Sequence, residues 1–386
     1  GSNNTGVGYR ALDANTTAND NTAVGYAALG ANTTGTHNVG VGGSALTKNT
    51  TASYSTAVGT NALGANTTGS YNAAFGNSAL ALNTTGEYNV AFGTFALDDN
   101  TTADYNTALG HNALGANTTG TQNTAVGALA LDANTTASNN TAIGYGALDA
   151  CTADSNTAVG RLALEDCTTG SNNTAVGRFA LGQLTTAAQN VAIGDYALDA
   201  MTTASDNTAV GYEALTTNTT GSQNTGVGHR SLIVNTTGLG LCAFGVGALD
   251  ANTTGNYNSA FGRHALSGNT TAHDNTAFGA FALAANTTGT NNTGIGCSAL
   301  AANTTANNNT GIGAEAGESI TTGTANVALG FQSLNASTTQ SYNTALGTGA
   351  LYASTAENGV AVGYYALVNN TTGSEATAVG SKALAA

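Results

Sequence analysis

The sequence contains no proline or tryptophan and very few charged residues. Of its 386 residues, 7% are charged and 6% are aromatic, and 21 acidic side chains against 7 basic ones give a net charge of −14. So few ionisable groups leave little material for acid–base chemistry, and we expect no enzyme, no cofactor and no metal site. An acidic chain repels a phosphate backbone, so we expect no nucleic-acid partner. No apolar run approaches the roughly 20 residues of a membrane span, so we expect no membrane insertion.

What the sequence has instead is one 17-residue repeat. A typical repeat is residues 21–37, NTAVGYAALGANTTGTH, whose positions we number 1 to 17. Repeats begin at Asn4 and continue to the end of the chain, about 23 in all, and those that begin at Asn140 and Asn343 are one residue short. We therefore expect one repeat domain over residues 4–386, preceded by residues 1–3 as an N-terminal extension or the remnant of a tag.

The length of the repeat selects the class of solenoid. Helical repeats need about 33 residues or more and leucine-rich repeats at least about 20, so this repeat is too short for either. The segment Thr-Ala-Val-Gly alternates like a short strand, and Gly and Asn at fixed offsets are typical of turns. The repeat therefore predicts an all-β fold, a parallel β-solenoid (β-roll) with about 23 coils spaced about 4.8 Å apart, which would make a rod of roughly 110 Å.

Three positions of the repeat are almost invariant. Position 5 is always Gly, which indicates a corner with positive φ or a backbone too crowded for a Cβ atom. Position 4 is always a large apolar residue and position 9 is almost always Leu, so we expect both in the core. The predicted corner glycines include Gly25, Gly59, Gly110, Gly144 and Gly194.

Position 12 predicts a buried ladder of amides. It is Asn in most repeats, but four successive repeats carry apolar residues there, which a solvated turn would not favour. Because buried polar groups must be hydrogen-bonded, we expect each amide to bond to the coils above and below it. The predicted ladder comprises Asn32, Asn49, Asn66, Asn83, Asn100, Asn117 and Asn134, and its apolar break comprises Cys151, Cys167, Leu184 and Met201.

Positions 3 and 8 are restricted to small residues. If position 4 faces the core, then position 3 of the same strand faces outward, where solvent would not limit its size. We interpret the restriction as close packing against an identical chain. The alternative is that these alanines pack beneath the turn of their own coil.

Several segments resemble a known adhesin repeat. Residues 190–194, 89–93 and 326–330 are NVAIG, NVAFG and NVALG, and they resemble the Asn-Ser-Val-Ala-Ile-Gly repeat of the YadA-like head in trimeric autotransporter adhesins. The 17-residue form is also similar to repeats of phage tail-fibre and surface-fibre proteins. The resemblance covers essentially the whole chain, although the adhesin repeat is shorter. It implies a left-handed β-roll, a homotrimer, an extracellular location on a cell or virion, and attachment to a host-surface or glycan receptor.

Four tyrosines predict an aromatic ladder. Tyr54, Tyr71, Tyr88 and Tyr105 occupy position 17 of consecutive repeats. Stacked aromatic rings can support a sugar ligand, but they can equally stabilise a solenoid without one.

Cysteines and carboxylates give two weaker signals. Cys151 and Cys167 fall on adjacent coils within Cα reach of a disulfide, but parallel stacking aims the two Cβ atoms alike, so we favour small buried thiols. Asp132, Asp149 and Glu165 share position 10 of consecutive repeats. They form either a solvated acidic stripe, which we favour, or a Ca²⁺ site.

The function that the sequence predicts is a non-enzymatic structural or attachment fibre segment. Binding specificity would then lie at the variable positions 6, 7, 16 and 17, or outside this chain. The alternative is an ice-binding or glycan-binding β-solenoid, because Thr at positions 13 and 14 forms long regular rows.

Overall fold

The computed structural model describes residues 1–385 and comprises two compact units, Gly1–Asn190 and Val191–Ala386. Both units consist of three-residue strands joined by turns, with no helix among the described residues. The first unit contains β1 Thr5–Val7, β2 Thr22–Val24, β3 Val39–Val41, β4 Thr56–Val58, β5 Ala73–Phe75, β6 Val90–Phe92, β7 Thr107–Leu109, β8 Thr124–Val126, β9 Thr141–Ile143, β10 Thr157–Val159 and β11 Thr174–Val176. The second contains β12 Val191–Ile193, β13 Thr208–Val210, β14 Thr225–Val227, β15 Cys242–Phe244, β16 Ser259–Phe261, β17 Thr276–Phe278, β18 Thr293–Ile295, β19 Thr310–Ile312, β20 Val327–Leu329, β21 Thr344–Leu346, β22 Val360–Val362 and β23 Thr377–Val379.

Within each unit, the strands of consecutive coils pair in parallel at a shift of one repeat. In the first unit Ala23 lies beside Gly40, and in the second Ala209 lies beside Gly226. The short repeat that begins at Asn140 loses its residue outside the strand, because β9 and β10 remain in register. The predicted all-β parallel solenoid with a 17-residue repeat is confirmed in both units. The expectation of a single domain over residues 4–386 stays a prediction.

Hydrogen bonds between coils extend well beyond the strands. Along the turn that follows position 5, the Ala27 N–H donates to the Tyr9 carbonyl at 2.9 Å, and the Leu29 N–H donates to the Ala45 carbonyl at 3.0 Å. These two N–H groups therefore point to opposite neighbouring coils. Most of the circuit of each coil is tied to the coils on either side, and not only its strand.

This pattern requires left-handed backbone at residues that are not glycine. Positions 7, 9 and 17 have positive φ in coil after coil, for example 54° at Ala27, 49° at Leu29 and 58° at His37. An L-residue in this region costs about 1–2 kcal/mol. The N–H of each of these three residues donates to a neighbouring coil, which offsets that cost.

The interior of the coil is lined by positions 3, 8 and 9. Ala23, Ala28 and Leu29 have no exposed surface, whereas Val24 at position 4 is 37% exposed. The prediction that position 9 lies in the core is confirmed. The predictions that position 4 faces inward and position 3 outward are wrong. The Asn side chain at position 1 points into the coil, and the two-residue alternation of the strand then turns position 3 inward and position 4 outward.

The small residues at position 3 reflect how narrow this interior is. A Cβ atom added to Gly40 would lie 3.4 Å from both the Ala45 carbonyl oxygen and the Leu29 Cγ atom. Alanine therefore just fits, and a larger side chain would not. The alanines of positions 3 and 8 pack inside their own coil, so the interpretation that they pack against another chain is wrong.

The corner glycines have both features that the sequence predicts, a positive φ and a backbone too crowded for a Cβ atom. Their φ angles are 138° at Gly25, 139° at Gly59, 147° at Gly110, 137° at Gly144 and 134° at Gly194. A Cβ atom at Gly25 would also overlap the carbonyl oxygen of Gly42, the corresponding corner of the next coil. Only glycine satisfies the conformation and the close approach together.

We predict opposite effects from two substitutions two residues apart. Gly76→Ala should destabilise the fold by more than the roughly 1–3 kcal/mol of its backbone strain, because its Cβ would also overlap the Gly93 carbonyl. Ser78→Gly should stabilise it, because φ is 53° at Ser78. Urea unfolding followed by circular dichroism measures both. Equal midpoints for the two variants would contradict this account of the corner.

Candidate functional site: buried ladders and exposed rows

The position-12 asparagines form a continuous buried ladder in the first unit. Asn49 Nδ2 donates to Asn32 Oδ1 at 2.9 Å, and the same bond recurs up to Asn134 and Asn117, also at 2.9 Å. Each Nδ2 also donates to the carbonyl three residues further on, as from Asn49 to Ala52 at 3.1 Å. The predicted ladder is confirmed. Its members, all fully buried, are Asn32, Asn49, Asn66, Asn83, Asn100, Asn117 and Asn134.

Apolar and sulfur-bearing side chains interrupt this ladder. Cys151, Cys167 and Leu184 in the first unit and Met201 in the second are each fully buried at position 12. In the second unit an amide ladder is formed by Asn218, Asn235, Asn252, Asn269, Asn286 and Asn303, with Nδ2 to Oδ1 distances of 2.7–3.0 Å.

A second asparagine ladder, at position 1, was missed by the sequence analysis. Asn21 Nδ2 donates to the Gly35 carbonyl at 2.9 Å, and Asn21 Oδ1 accepts the backbone N–H of Asn38, in the next coil, at 2.9 Å. Asn32 Nδ2 donates to the same Gly35 carbonyl. The signal that could have found it is Leu241, an apolar residue at position 1. Apolar exceptions at position 12 predicted the other ladder in the same way.

Position 16 is less free to vary than its sequence suggests. The N–H of Thr36 donates to Ser53 Oγ at 3.0 Å, and the N–H of Glu87 donates to Asp104 Oδ1 at 2.7 Å. In these pairs the side chain at position 16 accepts from the backbone of the preceding coil. Short polar side chains recur there because they supply that acceptor.

The exposed side of the strands carries an apolar row at position 4 beside a row of mostly threonine at position 2. Positions 2 and 4 point outward in every coil and contain no charged residue. We call the set of position-4 residues the outer strand face. Phe92 is 54% exposed and Leu109 45% exposed, and Phe244 stacks on Phe261 with ring centroids 5.0 Å apart. In the first unit the face consists of Val7, Val24, Val41, Val58, Phe75, Phe92, Leu109, Val126, Ile143, Val159 and Val176.

The position-17 tyrosines stack face to face. The ring centroids are 5.2 Å apart from Tyr54 to Tyr71, 4.9 Å from Tyr71 to Tyr88 and 5.1 Å from Tyr88 to Tyr105, with planes within 3° of parallel. His37 extends the stack, 4.8 Å from Tyr54. Since the inner rings cover one another, the ladder presents ring edges and hydroxyl groups to solvent. That these rings face a ligand stays a prediction.

The position-10 carboxylates are half-buried. Desolvation raises the pKa of Asp132, Asp149 and Glu165, and the charge of Asp132 raises that of Asp149 further. Asn112 Nδ2 donates to Asp132 Oδ1. Across residues 1–385, no three His, Cys, Asp or Glu side chains come together as a group that could hold a metal ion.

The two threonine rows differ in their hydrogen bonding. At position 13 the Thr33 hydroxyl donates to the Thr50 carbonyl at 3.0 Å, and this bond recurs along both units. At position 14 Thr34 is exposed. Of these two rows, only the position-14 row therefore presents its hydroxyl groups to solvent.

No protein-family model matches the chain, and no curated protein matches it either. Among the described residues, no helix has the length and apolarity of a membrane span.

Removing one amide from the ladder should be costly. In the Asn100→Ala variant, Asn83 Oδ1 loses a donor and Asn117 Nδ2 loses an acceptor. A buried polar group without its partner costs about 1–3 kcal/mol, so we expect a loss of several kcal/mol in unfolding free energy. Asn77→Ala, at an exposed asparagine, is the matched control and should change stability by less than about 0.5 kcal/mol. Similar urea midpoints for the two variants would argue against the ladder.

The raised pKa of Asp149 predicts the direction of a pH effect. The folded chain holds the Asp149 carboxyl proton more tightly than the unfolded chain does, where aspartates titrate at about 3.9. The free energy of unfolding therefore falls as pH rises from about 3.9 through the raised pKa of Asp149. Asp149→Asn should therefore raise the melting temperature at pH 7 and leave it nearly unchanged at pH 3. Asp166→Asn, at an exposed neighbour, should have little effect at either pH. An equal gain from Asp149→Asn at both pH values would contradict the effect of desolvation.

Proposed function

We propose that this chain is a non-enzymatic segment of a structural or attachment fibre, displayed on a cell or virion surface and assembled from copies of itself. The observation that carries the proposal is the outer strand face, an uncharged row of Val, Ile, Leu and Phe that is exposed in both units. A contiguous apolar row on a surface is typical of an association site.

Parallel sheets occur almost only with both faces covered. Here the inner side of the strands is covered by the coil's own alanines and leucines, whereas Phe92 and Leu109 on the outer side lie open. A covering partner must present apolar groups at the same interval of about 4.8 Å, repeated coil after coil. A second copy of this chain has that spacing by construction, which favours self-association over an unrelated partner.

The number of chains and the handedness belong to the same proposal. The resemblance of NVAIG-type segments to the YadA-like head favours left-handed coils and a homotrimer. Closed rotational symmetry suits the outer strand face, because each chain then covers a neighbour's face and is itself covered.

A host-surface or glycan receptor would meet the variable exposed positions. In several coils the position-16 side chain is occupied by a hydrogen bond from the backbone, so we assign recognition to positions 6, 7 and 17. Tyr26 at position 6 is 59% exposed, and the ring edges of Tyr71 and Tyr88 at position 17 are also accessible. The ice-binding alternative has weaker support, because the position-13 hydroxyl groups are consumed within the fold, and only the threonines of positions 2 and 14 face outward.

The proposal predicts which surface controls assembly. The double variant Phe92→Glu/Leu109→Glu should keep its β circular dichroism but lose mass by light scattering, because charges would be desolvated in the interface. Thr85→Glu/Thr102→Glu adds the same charge at exposed position-14 residues and should keep the wild-type mass. A monomeric wild-type chain, or equal masses for all three proteins, would overturn the assignment.

Substitutions inside the coil should disrupt folding, whereas substitutions on the outer strand face should disrupt only assembly. Ala125 and Ala142 lie inside the coil with no exposed surface, so Ala125→Leu and Ala142→Leu should damage the fold itself. Loss of β circular dichroism in these variants, with retention in the outer-face variant, separates folding from assembly.

A further inference from the structure

The two cysteines at the break in the amide ladder lie within reach of each other. Cys151 Sγ and Cys167 Sγ are 3.4 Å apart and share a hydrogen bond, and both side chains are fully buried. Each thiol also meets a carbonyl three or fewer residues further on, Cys167 with Gly170 at 3.2 Å and Cys151 with Ala153 at 3.6 Å. The thiols thus take the place of two asparagine amides.

The backbone around the pair is already held at a suitable separation. The N–H of Ala150 donates to the Glu165 carbonyl at 3.1 Å, and the N–H of Thr152 donates to the Thr168 carbonyl at 3.0 Å. Parallel segments of neighbouring coils bonded in this way are about 4.8 Å apart, inside the Cα range of about 4.4–6.8 Å that disulfides use. The sulfurs need to approach by about 1.4 Å to reach bonding distance. The sequence favoured unpaired thiols because parallel stacking aims the two Cβ atoms alike, but in the folded chain the two sulfurs are already in contact.

From this geometry we propose that Cys151 and Cys167 form a disulfide that staples two consecutive coils where the amide ladder is broken. The oxidant is a small-molecule or protein disulfide. The Cys151 thiolate attacks one of its sulfur atoms and releases one thiol. Cys167 then loses its proton, attacks the Cys151 sulfur of the mixed disulfide and releases the second thiol. Two protein thiols and one external disulfide thus become one protein disulfide and two external thiols.

The hydrogen bonds around the pair indicate which of the two sulfurs attacks first. Asn156 Nδ2 donates to Cys151 Sγ at 3.5 Å, and the shared hydrogen bond lowers the pKa of Cys151 while it raises that of Cys167. Cys151 is therefore the group that ionises first and attacks. Since neither thiol is exposed, the reaction proceeds through local opening of the coil or before the coil closes.

The chain carries its own negative control. Cys242 at position 2 and Cys297 at position 6 lie in the second unit, three repeats apart. Three coil spacings are about 14 Å, twice the reach of a disulfide. These two cysteines should not pair within one chain under conditions that oxidise Cys151 and Cys167.

Trypsin makes the test direct, because Arg161 lies between the two cysteines and Arg178 follows them. Folded protein is equilibrated with oxidised and reduced glutathione, alkylated, digested without reduction and analysed by mass spectrometry. We expect a peptide of residues 49–161 linked to one of residues 162–178, and a melting temperature several degrees above that of the reduced protein. The Cys151→Ser variant should show neither change.

Two results would overturn the staple. In one, the linked peptide is absent at every glutathione ratio although Cys297 is modified, which would show that the buried pair does not oxidise. In the other, the link forms but lowers the melting temperature, which would show that the bond distorts the stack. The outcome does not depend on the fibre proposal, because the readouts are a covalent link and the stability of one chain.

Discussion

The whole arrangement depends on the parallel pairing of neighbouring coils at a shift of one repeat. Backbone groups from the strand, the corner and the turn all find partners in adjacent coils, as Thr22 does with Asn38 and Gly25 with Val7, both at 2.8 Å. Equivalent residues are therefore held about 4.8 Å apart. Each position must then hold a side chain that tolerates its own copy on both sides. Asparagine does so by pairing its amide oxygen with the next amide nitrogen, tyrosine by stacking, and glycine by leaving room for backbone.

The class of fold could be predicted because this constraint repeats along the chain. Repeat length excluded helical and leucine-rich solenoids, and the apolar exceptions Cys151, Leu184 and Met201 located an interior amide ladder. The facing of the strand could not be predicted in the same way, because alternation over three residues gives only relative orientation. The larger side chain of Val24 led to its assignment to the core in place of Ala23. That assignment was wrong because the interior of this coil is too narrow for valine. The position-1 asparagines, with Leu241 as a large apolar exception, would have fixed the absolute orientation.

Other features had little signal in the sequence. Leucine does not favour positive φ, so the single glycine at position 9, Gly317, was the one hint of the left-handed backbone seen at Leu29. The glycines at position 7, Gly146, Gly247 and Gly349, were the one hint for that neighbouring position. The acceptors at position 16 are ordinary turn residues, and their donors lie in a different coil. Such contacts follow from the stacking and cannot be assigned from one repeat in isolation.

The direction of the amide ladder has a physical consequence of its own. In the first unit the position-12 Nδ2 groups from Asn134 back to Asn49 each donate to the amide oxygen of the lower-numbered coil, so the row ends at Asn32 Oδ1. The amide dipoles are therefore aligned and lie in a core without charged groups, where hydrogen bonds in a chain polarise one another. Each amide strengthens its neighbours, so coils in the middle of a long run are held more firmly than coils at its ends. Resistance to local opening should consequently vary along a chain whose repeats are nearly identical, with its minimum beside the sulfur-containing break.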